Sequence, residues 1–282
     1  MRPASGSGTA TPGVSGSGDL APWRIGREGL GSWSPTTISK VIDDLREKVA
    51  PKPDPVRYEV TRTGAMWSED GADFRERGHK KELVVAQDEH SRYKVHYRLV
   101  DGPADEEAVY GYLKEAFERY GPPLVLKHDG GKVFCGDRVR GLLDQYKVVD
   151  LTGPGYYPQY NGKKERSVRD IKSTERAMRR HRAAPTLVER LDASIRDLND
   201  ERPRPVLCGN TAREVYMRDR HGLPDRDHFI QEVNRTEEKL RDQAVTRQQR
   251  DGARRHAVEL VLLQYGLLEI HGGRVNQFPD AF

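Results

Sequence analysis

Between Arg57 and Thr152 the spacing of apolar residues changes several times, and the order of those changes limits the folds open to the chain. Three consecutive segments, "RYEVTRTGAMWSEDGADF", "KELVVAQDEH" and "YKVHYRLVDG", are rich in β-branched and aromatic residues and are divided by Gly, Arg and His turns. This pattern predicts three antiparallel strands. In "PADEEAVYGYLKEAFERYG" the period lengthens to that of a helix, with Val109, Tyr112, Leu113, Ala116, Phe117 and Tyr120 on one face and Gly121 as the stop. "PPLVLKHDGG" is an apolar run too short for a helix but long enough for a buried strand. "GDRVRGLLDQYK" is helical again through Val139, Leu142, Leu143 and Tyr146, and "VVDLT" supplies a fifth strand. A loop, "PGYYPQYNGKKER", then leads into a long basic helix from about 161 to 181. Three antiparallel strands followed by helical crossovers to two more predict an α/β chain: a mixed five-stranded sheet flanked by helices.

The flanks read differently. Residues 1–19 are Gly/Ser/Thr-rich with no apolar period and are expected to be a disordered tail. Residues 20–56 hold a helical arm and a linker. Ser34 is placed as the N-cap with Pro35 at the first helical position, Ile38, Val41, Ile42, Leu45 and Val49 form the apolar stripe, and "APKPDP" follows as an extended connection. "APWRIGREGLG" before it would be the first helix of a partial helix-turn-helix. The core is bounded at 57–205, closing with an amphipathic helix through Leu187, Leu191, Ile195 and Leu198. Residues 206–282 are expected to be a helical and β appendage: a short helix in "TAREVYMRD", charged helices over 225–264, and a terminal β-hairpin turning at Gly272-Gly273.

With a third of 282 residues charged, the chain has no run near the roughly 18 apolar residues of a membrane span, and its N-terminus has no apolar leader. No membrane partner is expected, and a cytoplasmic location is. Cys135 and Cys208 form no CxxC pairing, which argues against a disulfide framework or a structural zinc.

Three acids stand at the ends of elements: Asp70 on the first strand segment, Asp129 after the fourth, and Glu165 opening the long helix. Neighbouring first and fourth strands would bring Asp70 beside Asp129, and a helix start packed on that edge would bring Glu165 within reach. Clustered carboxylates repel unless a cation or a proton intervenes, and hard divalent ions take such oxygen ligands. The net charge of +4 is concentrated around the third acid. Lys163, Lys164, Arg166, Arg169, Lys172 and Arg176 surround or follow Glu165, and Arg169, Lys172 and Arg176 share its helix face. Such a row suits a phosphate backbone. Tyr157 and Asn161 in the preceding loop are candidate DNA contacts, by stacking or hydrogen bonding.

Taken together, "MWSEDGADF … LVVAQDEHSRY … LVLKHDGGKVF … GYYPQYNGKKERSVRDIK" resembles the catalytic core of the retroviral integrase and DDE transposase superfamily. "LNDERPRPVLCGNTAREVY" also resembles the segment that follows the core in bacterial insertion-sequence members. The resemblance spans about residues 57–205, and 35 residues separate Asp129 from Glu165, as the family spacing requires. It implies an RNase H-like fold. It implies Asp70, Asp129 and Glu165 as catalytic and metal-binding residues for two Mg²⁺ ions, with Mn²⁺ as a substitute. It also implies DNA cleavage and strand transfer by in-line phosphoryl transfer during transposition, with element ends and target DNA as partners and a homo-oligomer on DNA. Three departures stand out. The second acid sits in "HDGG" where many members have "SDNG" or "TDNG". Asp88 in "AQDEHSRY" is a rival first acid, although Asp70, preceded by Trp67, is the better match. No His-His-Cys-Cys module precedes the core. Two alternatives stay open: an inactive or truncated DNA-binding derivative, and an RNase H-like nuclease without strand transfer.

Overall fold

The computed structural model describes residues 34, 36–37, 39–42, 57–153, 158–180 and 186–271, without the side chains of 158–162 and 164. Two compact units divide at Asp54/Pro55. Of the first, Ser34 and the start of a helix through Ile42 are described. The Ser34 hydroxyl accepts the Thr37 N–H at 3.1 Å, the N-cap bond expected for that serine. The tail, the proposed first helix of the helix-turn-helix, the linker and the turn at Gly272-Gly273 lie outside the described residues.

In the second unit five strands form one sheet: β2 (Met66–Glu76), β3 (His79–Asp88), β4 (Lys94–Asp101), β5 (Val125–His128) and β6 (Val149–Thr152), in the order β4-β3-β2-β5-β6. β2, β3 and β4 pair antiparallel, whereas β2–β5 and β5–β6 are parallel. The crossovers are α1 (Glu106–Tyr120), capped by Asp105 and stopped by Gly121 at φ 76°, and α2 (Asp137–Gln145). The expected first strand segment is in fact two strands. β1 (Arg57–Val60) ends before a turn at Gly64 (φ 81°) and pairs antiparallel with β7 (Leu268–His271) in a separate two-stranded sheet.

Alternation along β2 decides what covers each face. Trp67 joins Val84, Ala86 and Leu126 under α1, α2 and the short α5 (Ala212–Arg218), where Tyr216 stacks on Tyr93 at 4.5 Å. On the opposite face Ala72 and Phe74 meet Leu83, Val85, Ile171, Leu187 and Leu191, from α3 (Pro158–Arg180) and α4 (Leu187–Arg196). Further along, Met66, Val125, Val149 and Leu151 are covered by Phe229 and Val233 of α6 (Arg226–Gln243) and Ala257, Val258 and Val261 of α7 (Arg247–Gln264).

The segment after residue 205, expected to be an appendage, is therefore a structural part of this unit. Its sparse apolar positions complete two of the three apolar clusters, and β7 takes β1 as its partner. Signals of that kind are weak in sequence because α6 buries only Phe229, Val233 and Leu240, and the buried residues of α7 include small ones and the charged Glu259.

Candidate catalytic site

Asp70 lies on β2, and Asp129 directly follows β5, the parallel neighbour of β2. Met66, Trp67 and Ser68 of β2 lie opposite Val125, Leu126 and Lys127 of β5. Asp70 lies two residues beyond that pairing on β2, and Asp129 directly follows His128, the last residue of β5. Asp129 is exposed and Asp70 half-buried. Their Oδ1 atoms accept backbone N–H groups, from Gly131 at 3.1 Å and from Gly71 at 2.9 Å.

Glu165 does not open its helix. α3 begins at Pro158, where a proline at the helix start costs nothing because its missing N–H has no intrahelical partner there. Glu165 thus sits two turns in, exposed, on a helix that packs on β2. Among the described residues no group of three His, Cys, Asp or Glu side chains is close enough to hold an ion. The donor chemistry suits a hard divalent cation, with Asp70 on β2 and Asp129 at the exit of the neighbouring β5. The third carboxylate stands on the adjoining helix.

The rival acid has other work. Asp88 is fully buried, with Oδ1 accepting from the Ser91 N–H (2.8 Å) and hydroxyl (2.6 Å) and Oδ2 from the Gly64 N–H (2.8 Å). It ties the β3–β4 turn to the β1–β2 turn, and burial pushes its carboxyl up despite these bonds.

The glycine in "HDGG" is required by the backbone. Gly130 has φ 79°, and a Cβ there would come within 2.9 Å of the Thr152 methyl. His128, two residues before it, anchors the turn. His128 is buried, and its Nδ1 accepts the Gly130 N–H at 3.0 Å. Nε2 must then carry the proton, which it donates to Asp150 Oδ1 at 2.6 Å. The ring also stacks on Phe134. His128→Phe would keep the stacking and lose both bonds. We expect a loss of about 2 kcal/mol in urea denaturation, the cost of two hydrogen bonds of which one is to a carboxylate.

The basic residues separate into two sets. Arg166, Arg169 and Arg176 lie exposed on α3 with Glu165, while Ile171 faces the core. Lys172 is half-buried, its ammonium 6.0 Å from the Phe74 ring centre. Lys163 is turned inward: its Nζ donates to the Tyr58 carbonyl and to Glu59 Oε2 (2.8 Å), pinning α3 to β1. Burial lowers its pKa against the pull of Glu89 and Glu59. A row read from helical spacing cannot show this, because Glu59 is remote in sequence. Tyr157 and the side chains of Lys164 and Asn161 lie outside the described residues.

Next to Lys163, Glu89 is buried. Burial alone would raise its pKa, but Lys127, Lys163 and Arg92 outweigh that and hold it low. Lys94 is a buried cation whose Nζ donates to Gln87 Oε1 at 2.6 Å. Burial, with Arg204 and Arg92 nearby, lowers its pKa to about 7 against the opposing pull of Asp170 and Glu89. Below about pH 7 both folded and unfolded chains protonate Lys94. Between there and the ordinary lysine value of about 10 only the unfolded chain does, so this group adds stability as pH rises, by at most about 1.4 kcal/mol per pH unit. Urea titrations at pH 6.5 and 9 should show that gain in the wild type, and Lys94→Met should reduce it.

Comparison with known proteins places this geometry. No family model and no curated protein sequence matches the chain. Among solved structures, the HTLV-2 integrase catalytic core domain in complex with magnesium, in its trimeric form, is 17% identical (TM-score 0.48), covering 56% of this chain and 99% of that one. The catalytic core domain of BIV integrase is 24% identical (0.45), covering 55% and 94%. A simian T-cell lymphotropic virus intasome in complex with PP2A regulatory subunit B56 gamma is 16% identical, with a TM-score of 0.53 over 74% of this chain and 77% of that one. In strand order and flanking helices, the second unit has the RNase H-like fold of a retroviral integrase catalytic core.

Proposed function

We propose that this chain is a divalent-metal-dependent DNA transposase or integrase, a polynucleotidyl transferase that cleaves DNA at element ends and joins the freed 3′-OH to target DNA. The observation that carries this reading is the parallel pairing of β2, which bears Asp70, with β5, which leads directly into Asp129, in an integrase-type sheet against which the helix bearing Glu165 packs.

Asp70, Asp129 and Glu165 would hold the metal through carboxylate oxygens, Mg²⁺ or Mn²⁺ being the ions that such a donor set suits. Two such ions, when bound, stabilise charge developing on the phosphoryl group and make the attacking oxygen nucleophilic at neutral pH. The residues of the chain supply position. Arg166, Arg169 and Arg176, exposed beside Glu165, hold the DNA backbone in line. His128 and Asp150 fix the turn that aims Asp129. In the first step water attacks phosphorus, giving up a proton to solvent, and the bond to the 3′ oxygen breaks, that oxygen taking up a proton from solvent, leaving a 3′-OH and a 5′-phosphate. In the second, that 3′ oxygen attacks a target phosphodiester and displaces its bridging 3′ oxygen. No side chain becomes covalently attached. Handling two DNA ends together calls for a dimer or larger assembly on DNA.

Labelled duplexes taken from the DNA flanking the gene, incubated with Mg²⁺ and an unlabelled target, test the reading. Joined products are the expected result. Cleavage without joining would favour a nuclease, and binding without cleavage a DNA-holding derivative.

A further inference from the structure

A second polar pocket, of about 570 Å³, opens on the α3 side of the sheet and includes none of the three candidate catalytic carboxylates in its lining. Its walls come from β1, β3, the β3–β4 turn, α3 and the segment 202–206. That segment follows a π-helix (Asp197–Glu201) clamped to β4, where Asn199 exchanges two hydrogen bonds with the Lys94 backbone (2.8 and 3.0 Å).

Three polar atoms at this pocket have no hydrogen-bond partner: Gln87 Nε2, Ser167 Oγ and Arg204 Nε. Gln87 and Ser167 are 3% and 5% exposed. The Gln87 amide is not free to turn, because Lys94 Nζ holds its oxygen at 2.6 Å. Two of the three atoms can only donate, and the hydroxyl can. A buried donor left unmade is costly, so three at one pocket point to an acceptor-rich occupant.

The charges agree. Arg92, Lys163, Arg166, Arg202 and Arg204 line the pocket against only Glu59 and Asp170. Glu59 neutralises part of this by pairing with Arg92 and Lys163, Asp170 pairs with Arg204 at 3.4 Å, and Asp197 outside the lining pairs with Arg202. Among the described residues no ion pair engages Arg166. An anion offering three or more acceptor oxygens matches this set better than a carboxylate with two.

We propose that this pocket binds a phosphate group through Gln87, Ser167, Arg202 and Arg204, as a subsite separate from the three carboxylates. The phosphate is either part of a DNA strand or a free phosphate ion. The first source rests on the DNA-transferase reading and the second does not. Arg166 follows Glu165 directly in α3, so a strand held here would run past the candidate catalytic site.

Ser167→Ala and Arg202→Gln test it in the full chain, by calorimetric titration with inorganic phosphate and, separately, with a 30-base-pair duplex at several salt concentrations. Ser167→Ala removes a hydroxyl that the fold itself does not use, so its thermal midpoint should be equal or higher. Affinity should drop about tenfold in whichever titration carries the phosphate, the size of one lost bond to a charged group. Weakening with inorganic phosphate identifies a free-ion site, and weakening with duplex alone identifies a strand site. Unchanged affinity of both variants for both probes would overturn the proposal. A wild-type chain that never cleaves or joins DNA, yet loses phosphate affinity on Ser167→Ala, would sink the transferase reading and leave the pocket standing.

Discussion

Asp129→Asn should lower metal-dependent DNA cleavage and joining about 1000-fold while leaving duplex binding unchanged or slightly tighter. A carboxylate that holds a catalytic cation supports several kcal/mol of transition-state charge stabilisation, and about 4 kcal/mol corresponds to that factor. The amide keeps the size and can still accept the Gly131 N–H, so the turn survives. Removing a negative charge beside a phosphate backbone does not weaken its binding. Asp70→Asn and Glu165→Gln should behave alike. Asp88→Asn should not. An amide there sets a donor against the N–H of Gly64 or of Ser91, and the loss appears in stability, with activity per folded molecule retained. Single-turnover cleavage, filter binding and urea denaturation on all four variants separate the two patterns. A catalytically dead Asp88→Asn beside an active Asp70→Asn would reassign the first acid.

Glu175→Ala should cost about 3–5 kcal/mol of stability, the usual effect of breaking a buried ion pair by removing one side chain. Glu175 of α3 and Arg190 of α4 are both buried between those helices, with Nε donating to Oε1 at 2.7 Å. Replacing both, as Glu175→Leu with Arg190→Met, should recover much of the loss, because two apolar side chains of similar volume avoid desolvating either charge. Urea denaturation of the single and double variants measures this. Equal losses in the two would show that the packing of that interface, rather than the broken Glu175–Arg190 ion pair, sets its strength.

The strands and helices of the core were legible because each buries a clean face. The α1 stripe from Val109 to Phe117 and the α2 stripe of Val139, Leu142 and Leu143 are buried as their spacing implies. What the sequence concealed depends on contacts between distant segments. The break between β1 and β2 is set by Gly64 and by β7, some two hundred residues on. The inward turn of Lys163 is set by Glu59. The place of α6 and α7 in the core follows from a few alanines, valines and a phenylalanine against Met66 and Val149, scattered through highly charged stretches. The start of α3 was read late because Pro158 and Gly162 also mark loops. "HDGG" looked like a loss beside the family pattern, whereas the positive φ at Gly130 and the bonds of His128 give that turn its own support.

The central claim is that side chains 70, 129 and 165 close on divalent ions. Crystals of the full chain grown with Mn²⁺ and a short duplex test it most directly, through the anomalous signal of the metal. The expected map has two manganese peaks ligated by Asp70, Asp129 and Glu165. Ordered carboxylates with no peak between them, or manganese bound at another face of the sheet, would contradict it.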